Sequence, residues 1–84
     1  MPAVTMYATG WCPYCARARA LLDRRGIAWT EIDVESEPAK RAEMIARSGR
    51  RTVPQIWIGE THVGGSDDLH ELERRGELDR LLGR

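Results

Sequence analysis

The chain is poor in three things: cysteine, with two in 84 residues; surplus charge, with thirteen basic residues against thirteen acidic; and long apolar runs. Cys12 and Cys15 cannot staple a loop-rich secreted scaffold, and a disulfide across so short a span barely restricts the unfolded chain. Their purpose is chemical. A formal net charge of zero leaves no long-range field to draw the chain to nucleic acid or anionic lipid. No window approaches the roughly 18 apolar residues of a membrane span, and the first seven residues, MPAVTMY, lack a basic segment followed by an apolar one. A cytosolic location is expected, with neither nucleic acid nor membrane as a partner. Repeats, linkers and low-complexity tracts are absent as well.

What is present is a globular balance, 42% hydrophobic and 31% charged, at the length of one small domain over residues 1–84. Val4 to Ala8 is short and β-friendly and gives way to a loop at Thr9-Gly10. From Pro13 the pattern is helical. Ala16, Ala18, Ala20, Leu21 and Leu22 favour helix, Arg24 and Arg25 suit its negative end, and Gly26 stops it. A second strand is expected within Ile27 to Val34, with its alternation interrupted after Thr30, and a second helix from Ser36-Glu37-Pro38 to Gly49. Val53 to Ile58 reads as a strand that turns at Gly59-Glu60 into Thr61-His62-Val63. Ser66 is placed to cap a third helix that runs to Gly76, and Leu78, Leu81 and Leu82 form a short amphipathic tail. The order βαβαββα predicts an α/β fold: two parallel strands joined through a helix, an antiparallel hairpin added to them, and helices on both faces.

A disulfide-exchange catalyst needs one accessible, easily ionised thiol and a second thiol within reach of the mixed disulfide formed by the first. With Cys12 as the cap residue and Pro13 in the first turn, the Cys12 sulfur faces the unpaired amides of Tyr14 and Cys15 and the positive end of the helix dipole. Cys15, one turn in, is the more buried. A free thiol is only ~3% thiolate at pH 7, and such a site raises that fraction up to roughly thirtyfold. Nucleophilicity falls with basicity, at a Brønsted slope of about 0.4 to 0.5, so the gain in attack is largely cancelled. The clearer gain is that Cys12 becomes a good leaving group. The rival reading, half of a zinc or iron-sulfur site, lacks ligands: a closed site needs about four, and only His62 and His70 remain. Neither histidine has a neighbouring ligand, and both read as surface or hairpin residues.

Cys12-Pro13-Tyr14-Cys15 behind a first strand, Thr52-Val53-Pro54 opening a later one, and Gly64-Gly65-Ser66-Asp67-Asp68 ahead of the last long helix together resemble the dithiol glutaredoxin family. The resemblance covers essentially the whole chain and is strongest to the small bacterial glutaredoxin 3 type. It implies a thioredoxin-like fold, a four-stranded mixed sheet flanked by helices on both faces. It also implies a cycle in which Cys12 attacks a substrate disulfide and Cys15 or glutathione resolves the product. No cofactor is then permanently bound: glutathione is the reductant co-substrate, and the partners are disulfide-containing or glutathionylated proteins. A monomer is expected.

By the family pattern the Val53-Pro54 bond is cis and the Val53 backbone pairs with the cysteine of glutathione as an added strand. The amides of Ser66 and Asp67 would hold the γ-glutamyl carboxylate, and an Asp67 or Asp68 carboxylate would take the amine. Arg41 and Arg51 would face the glycine carboxylate, with Tyr14 and Thr52 completing the site. The blander alternatives are aspartates that only complement the helix dipole, solvated arginines and an ordinary strand-start proline. Two departures stand out. Many relatives carry lysine where this chain has Thr9, so one cation near Cys12 is missing. Trp11 is more reminiscent of thioredoxins, and serves either partner choice or loop packing. Two other functions follow from these features: a redoxin fed by thioredoxin reductase, and an iron-sulfur cluster held between two chains, against which Pro13 argues.

Overall fold

A computed structural model describes residues 2–84, so that Met1 of the N-terminal segment and of the 1–84 domain lies outside the described residues. The first strand, β1 (Val4–Ala8), leads through a short loop into α1 (Pro13–Arg24), followed by β2 (Thr30–Asp33) and α2 (Pro38–Ser48). A hairpin of β3 (Gln55–Ile58) and β4 (Thr61–Gly64) precedes α3 (Ser66–Arg74) and the short α4 (Leu78–Leu82). The strands form one sheet in the order β2-β1-β3-β4. β1 pairs with β2 in parallel, and the pairs β1–β3 and β3–β4 are antiparallel. This is the mixed sheet that the element order predicts.

Alternation along β1 and β3 divides the interior in two. Met6 and Ala8 of β1 and Ile56 and Ile58 of β3 point to one face, where Ala18, Leu21 and Leu22 of α1, Leu69 of α3 and Leu78 and Leu82 of α4 close over them. Tyr7 and Trp57, one residue out of phase, point to the other face and meet Val34 and Met44. Burial of a single large aliphatic or aromatic side chain is worth about 1.5–3 kcal/mol. Both faces therefore contribute to holding the sheet, and the loops at one end of it are carried on a rigid base.

Two expected strands are shorter than the sequence pattern suggests. Ile27 does not begin β2, because its amide donates to the Leu22 carbonyl (2.9 Å) and so finishes α1 around the left-handed Gly26. Its side chain joins the α1 face, whereas Ile32 and Val34 turn to the α2 face, which accounts for the broken alternation. The third strand starts at Gln55, after a cis Val53-Pro54 bond. Ser66 is likewise not the cap of α3: Gly65 is, and the Asp68 carboxylate reaches back to the Gly65 amide (2.9 Å). Gly64, just before it, has φ +114°, and a Cβ there would stand 2.2 Å from that carboxylate oxygen. No side chain but hydrogen fits.

Candidate active site

Cys12 is the N-cap of α1, with extended backbone (φ −77°, ψ 124°), and Pro13 opens the helix behind it. Proline costs nothing there, since the first-turn amide it lacks would have no intrahelical partner. The arrangement turns the Cys12 sulfur toward the amides that begin the helix. Burial by itself raises the Cys12 thiol, but the Cys15 amide and thiol, the Tyr14 amide and the Arg19 charge together outweigh it, and the thiol titrates below its ordinary range. Cys15 goes the other way. It is fully buried, and burial pushes its thiol up to about 11, aided by the proximity of the Cys12 thiol and only partly opposed by the Thr9 amide and Arg19. Both cysteines are free thiols, and Cys12, at 8% exposure, lies nearer the surface. Of the pair, Cys12 is the more readily ionised, and Cys15 keeps its proton at neutral pH.

Arg19 is a site residue that sequence reasoning missed. It is fixed by Glu31 of β2 through two hydrogen bonds (Nε–Oε1 2.8 Å, Nη2–Oε2 2.7 Å) and donates to the Thr9 carbonyl (2.9 Å). The chain with no lysine at position 9 thus has a guanidinium tied to that residue's backbone, and its charge favours thiolate at both cysteines. The available signal was spacing: Arg19 follows Cys15 by four residues and so shares its side of the helix. Trp11 is 71% exposed, with its indole N–H donated to Glu35 (2.6 Å), which removes loop packing as its role. Tyr14 is exposed on the same loop and helix start.

Beside the thiols lies a cleft of about 340 Å³. Tyr14 of α1 forms one wall, Arg50, Thr52, Val53 and Pro54 the floor loop, and Gly65, Ser66, Asp67 and Asp68 the end at the start of α3. The Cys12 thiol donates to the Val53 carbonyl across 3.8 Å, so the thiol stands at the rim of this cleft. The first intrahelical bond of α3 runs from the Leu69 amide to the Gly65 carbonyl (3.0 Å), which leaves the Ser66 and Asp67 amides ahead of it free to meet an anion. Asp68 is engaged by the Gly65 amide and by Arg50 (3.2 Å), and these bonds, led by the amide, hold its carboxyl low. Asp67 is exposed and makes no ion pair among the described residues.

Of the residues expected to form this site, Tyr14, Thr52, Val53, Pro54, Ser66, Asp67 and Asp68 come together in the cleft. Arg41 and Arg51 do not line it. Both are exposed, with Arg41 donating to the Arg51 carbonyl (3.2 Å), and the guanidinium that does reach the cleft belongs to Arg50. The sequence offers adjacent arginines at 50 and 51, and only the path of the loop decides which one turns inward. His70 hydrogen-bonds the Ser66 carbonyl within its own helix (2.8 Å), contacts the Ser66 hydroxyl (3.4 Å), and does not line the cleft.

A vicinal dithiol of unequal acidity at a helix N-terminus, beside a cis-proline loop on a four-stranded mixed sheet, defines a thiol-disulfide oxidoreductase of thioredoxin-like fold. The glutaredoxin family model matches residues 4–63. The chain is 60% identical over 82 residues to a glutaredoxin of Pseudomonas aeruginosa, covering 98% of each chain. It is 52% identical to glutaredoxin 3 of Escherichia coli K12, across 98% of this chain and 99% of that one. Among solved structures, the Brucella melitensis glutaredoxin superposes with a TM-score of 0.86 at 55% identity, across 100% of this chain and 94% of that one. A buckwheat glutaredoxin-glutathione complex superposes at 0.90 and 32% identity, across 98% and 77%. The chain belongs to the glutaredoxin family, the glutathione-dependent thiol-disulfide oxidoreductases.

Proposed function

We propose that the chain, a single-domain cytosolic monomer, reduces protein disulfides and glutathionylated proteins, with Cys12 as nucleophile, Cys15 as resolving thiol and glutathione as electron donor. The observation that carries this division is position: Cys12 caps α1 at the rim of the cleft beside the Val53 carbonyl while Cys15 is fully buried one turn in, and the thiols are displaced accordingly, Cys12 below the ordinary range and Cys15 up to about 11. The Cys12 thiolate attacks one sulfur of a substrate disulfide, and the other sulfur leaves as a thiolate that takes up a proton. From a protein disulfide, Cys15 then gives up its proton and attacks the Cys12 sulfur, which releases the second substrate thiol and joins Cys12 to Cys15. Two glutathione thiols reduce that bond and leave as glutathione disulfide. From a glutathionylated protein, Cys12 takes the glutathione moiety and a second glutathione removes it, so Cys15 is not required.

A cleft of about 340 Å³ suits a tripeptide, near the lower end of the ~300–1,000 Å³ common for small ligands. In this reading the Val53 backbone pairs with the cysteine of glutathione and sets its sulfur against Cys12. The Ser66 and Asp67 amides take the γ-glutamyl carboxylate, the free Asp67 carboxylate takes the amine, and Tyr14, Thr52 and Pro54 wall the peptide. Arg41 and Arg51 meet the glycine carboxylate from outside the cleft, and the Arg50–Asp68 ion pair ties the floor loop to the start of α3. No metal or permanently bound cofactor enters the cycle.

The test follows NADPH consumption with the mixed disulfide of glutathione and 2-mercaptoethanol. One cuvette contains glutathione with glutathione reductase, the other thioredoxin reductase. Turnover is expected in the first. Turnover in the second alone would make the chain a redoxin fed by thioredoxin reductase, and the glutathione cleft would lose its assignment.

A further inference from the structure

Gln55 is fully buried, yet it is a polar residue at the first position of β3, next to the loop that floors the cleft. A buried primary amide must find partners for both its ends or leave a polar group unsatisfied in the interior. Its Nε2 donates to the Thr52 carbonyl (3.0 Å) and contacts the Thr52 hydroxyl (3.3 Å). A carbonyl can only accept, so this contact fixes which end of the amide is nitrogen. The other end, Oε1, lies 2.8 Å from His62 Nε2. Since Oε1 can only accept, His62 carries its proton on Nε2 and donates. The imidazole is itself held flat against Trp57, with ring centroids 4.5 Å apart, at the cross-strand position where β4 pairs with β3.

From this chain of contacts we infer that His62 is a positioning residue for the glutathione site: its Nε2 proton fixes the Gln55 amide, which in turn holds the Thr52-Val53 backbone in the conformation that receives the co-substrate. The inference rests on the reading of the cleft as the glutathione site. His62 does not line the cleft, although it lies in the field of Arg50 and Asp68, which do, and it acts through Gln55. Without its proton, Oε1 is buried without a partner and the amide is free to turn over. Turned over, it would set an oxygen against the Thr52 carbonyl, two acceptors face to face, and the loop would lose its anchor from below. Val53 is the next residue, and its carbonyl is the one that the Cys12 thiol meets.

His62→Phe keeps a ring to stack on Trp57 and removes the donor, His62→Leu removes both, and His62→Gln puts an amide N–H the same number of bonds from the backbone as the imidazole Nε2. Each is assayed with the mixed disulfide of glutathione and 2-mercaptoethanol, over a range of glutathione concentrations, with thermal midpoints measured alongside. The expected result is a KM for glutathione raised about three- to tenfold in His62→Phe and His62→Leu with kcat within about twofold, and a KM near the original in His62→Gln. A purely structural role would lower the thermal midpoint without this split. An unchanged KM in whichever donor-less variant folds, a loss confined to kcat, or failure of His62→Gln to restore KM would overturn the inference while leaving the glutathione reading intact. Absence of glutathione-dependent turnover in the unaltered chain would remove that reading and this inference together.

Discussion

The two faces of the sheet are held by different chemistry. Under α1, α3 and α4 the interior is mostly aliphatic, with Met6, Leu21, Leu22, Ile56 and Leu69 packed around Cys15 at its edge. Under α2 it is aromatic and polar. Tyr7 meets Trp57 edge-on at 5.3 Å, and the Arg47 guanidinium lies 4.3 Å from the Trp57 ring centroid while donating to the Tyr7 hydroxyl (2.7 Å). Tyr7 in turn hydrogen-bonds Glu43, and burial, with that carboxylate, raises the phenol. The first face acts on the chemistry through exclusion of water, because the packing that stabilises the fold also keeps the Cys15 proton in place. The second acts through directional bonds, and the His62–Gln55 contact carries that direction into the cleft loop.

The comparison breaks most sharply at the thiols. Cys12→Ser should reduce turnover at least about a thousandfold with every disulfide, since the one remaining thiol, Cys15, is fully buried and holds its proton. Cys15→Ser should retain the reaction with glutathionylated substrates and lose that with protein disulfides. Rates for both variants on both substrate types check this. Equal loss in the two variants would contradict the assignment of nucleophile and resolving thiol.

Stability should divide by face in the same way. Leu21→Ala on the aliphatic side should cost about 2–5 kcal/mol, the usual range for a cavity in a filled core. Arg47→Ala on the aromatic side removes two cation–π contacts, with Trp57 and with Tyr7, and one hydrogen bond to Tyr7, and should cost about 1–2 kcal/mol. Urea denaturation under reducing conditions measures both, and a larger loss in Arg47→Ala would reverse the comparison.

The aliphatic face also sets a pH dependence. Cys15 titrates at about 11 in the fold and near the ordinary thiol value, roughly 8.5, when unfolded. Between those values the folded chain holds the proton that the unfolded chain has lost, so stability falls as pH rises through that window. Cys12 is displaced downward, and its contribution is lost as pH falls through its folded value. Reduced protein should therefore lose stability above about pH 8.5, by on the order of 3 kcal/mol for this group alone. Cys15→Ala should flatten that alkaline decline. An unchanged slope would mean that burial of the thiol is not its source.

What the sequence makes legible is what is local. Cys12, Pro13 and the alanine-rich helix behind them announce a cap, a first turn and a thiol at the positive end of a dipole, all within a few residues. The hairpin shows through Gly59-Glu60 and the alternation of Ile56 and Ile58. The charged side chains are harder to place, because a guanidinium on a long stem can serve a site only when a distant element comes to meet it. Arg19 of α1 is pinned by Glu31 from β2, and Arg50 by Asp68 from α3. His62 illustrates the same limit: with no ligand beside it in sequence it reads as a hairpin residue, and only the cross-strand register brings it to Gln55.

The smallest effect concerns Arg19, which belongs to the aliphatic side's helix yet acts by charge. Arg19→Met keeps much of the stem and removes the guanidinium, so its consequence should be electrostatic rather than a failure of packing. Iodoacetamide should then alkylate Cys12 more slowly at pH 6, by about two- to fivefold, and the alkylation profile should move to higher pH. Glu31→Gln tests the same point from the other direction. It frees the guanidinium from its closest counter-charge, so if the field of Arg19 is what reaches the thiols, this variant should react at least as fast as the original. Slowing in both variants alike would instead assign Arg19 and Glu31 a joint role in holding the Thr9 carbonyl, to which Arg19 donates.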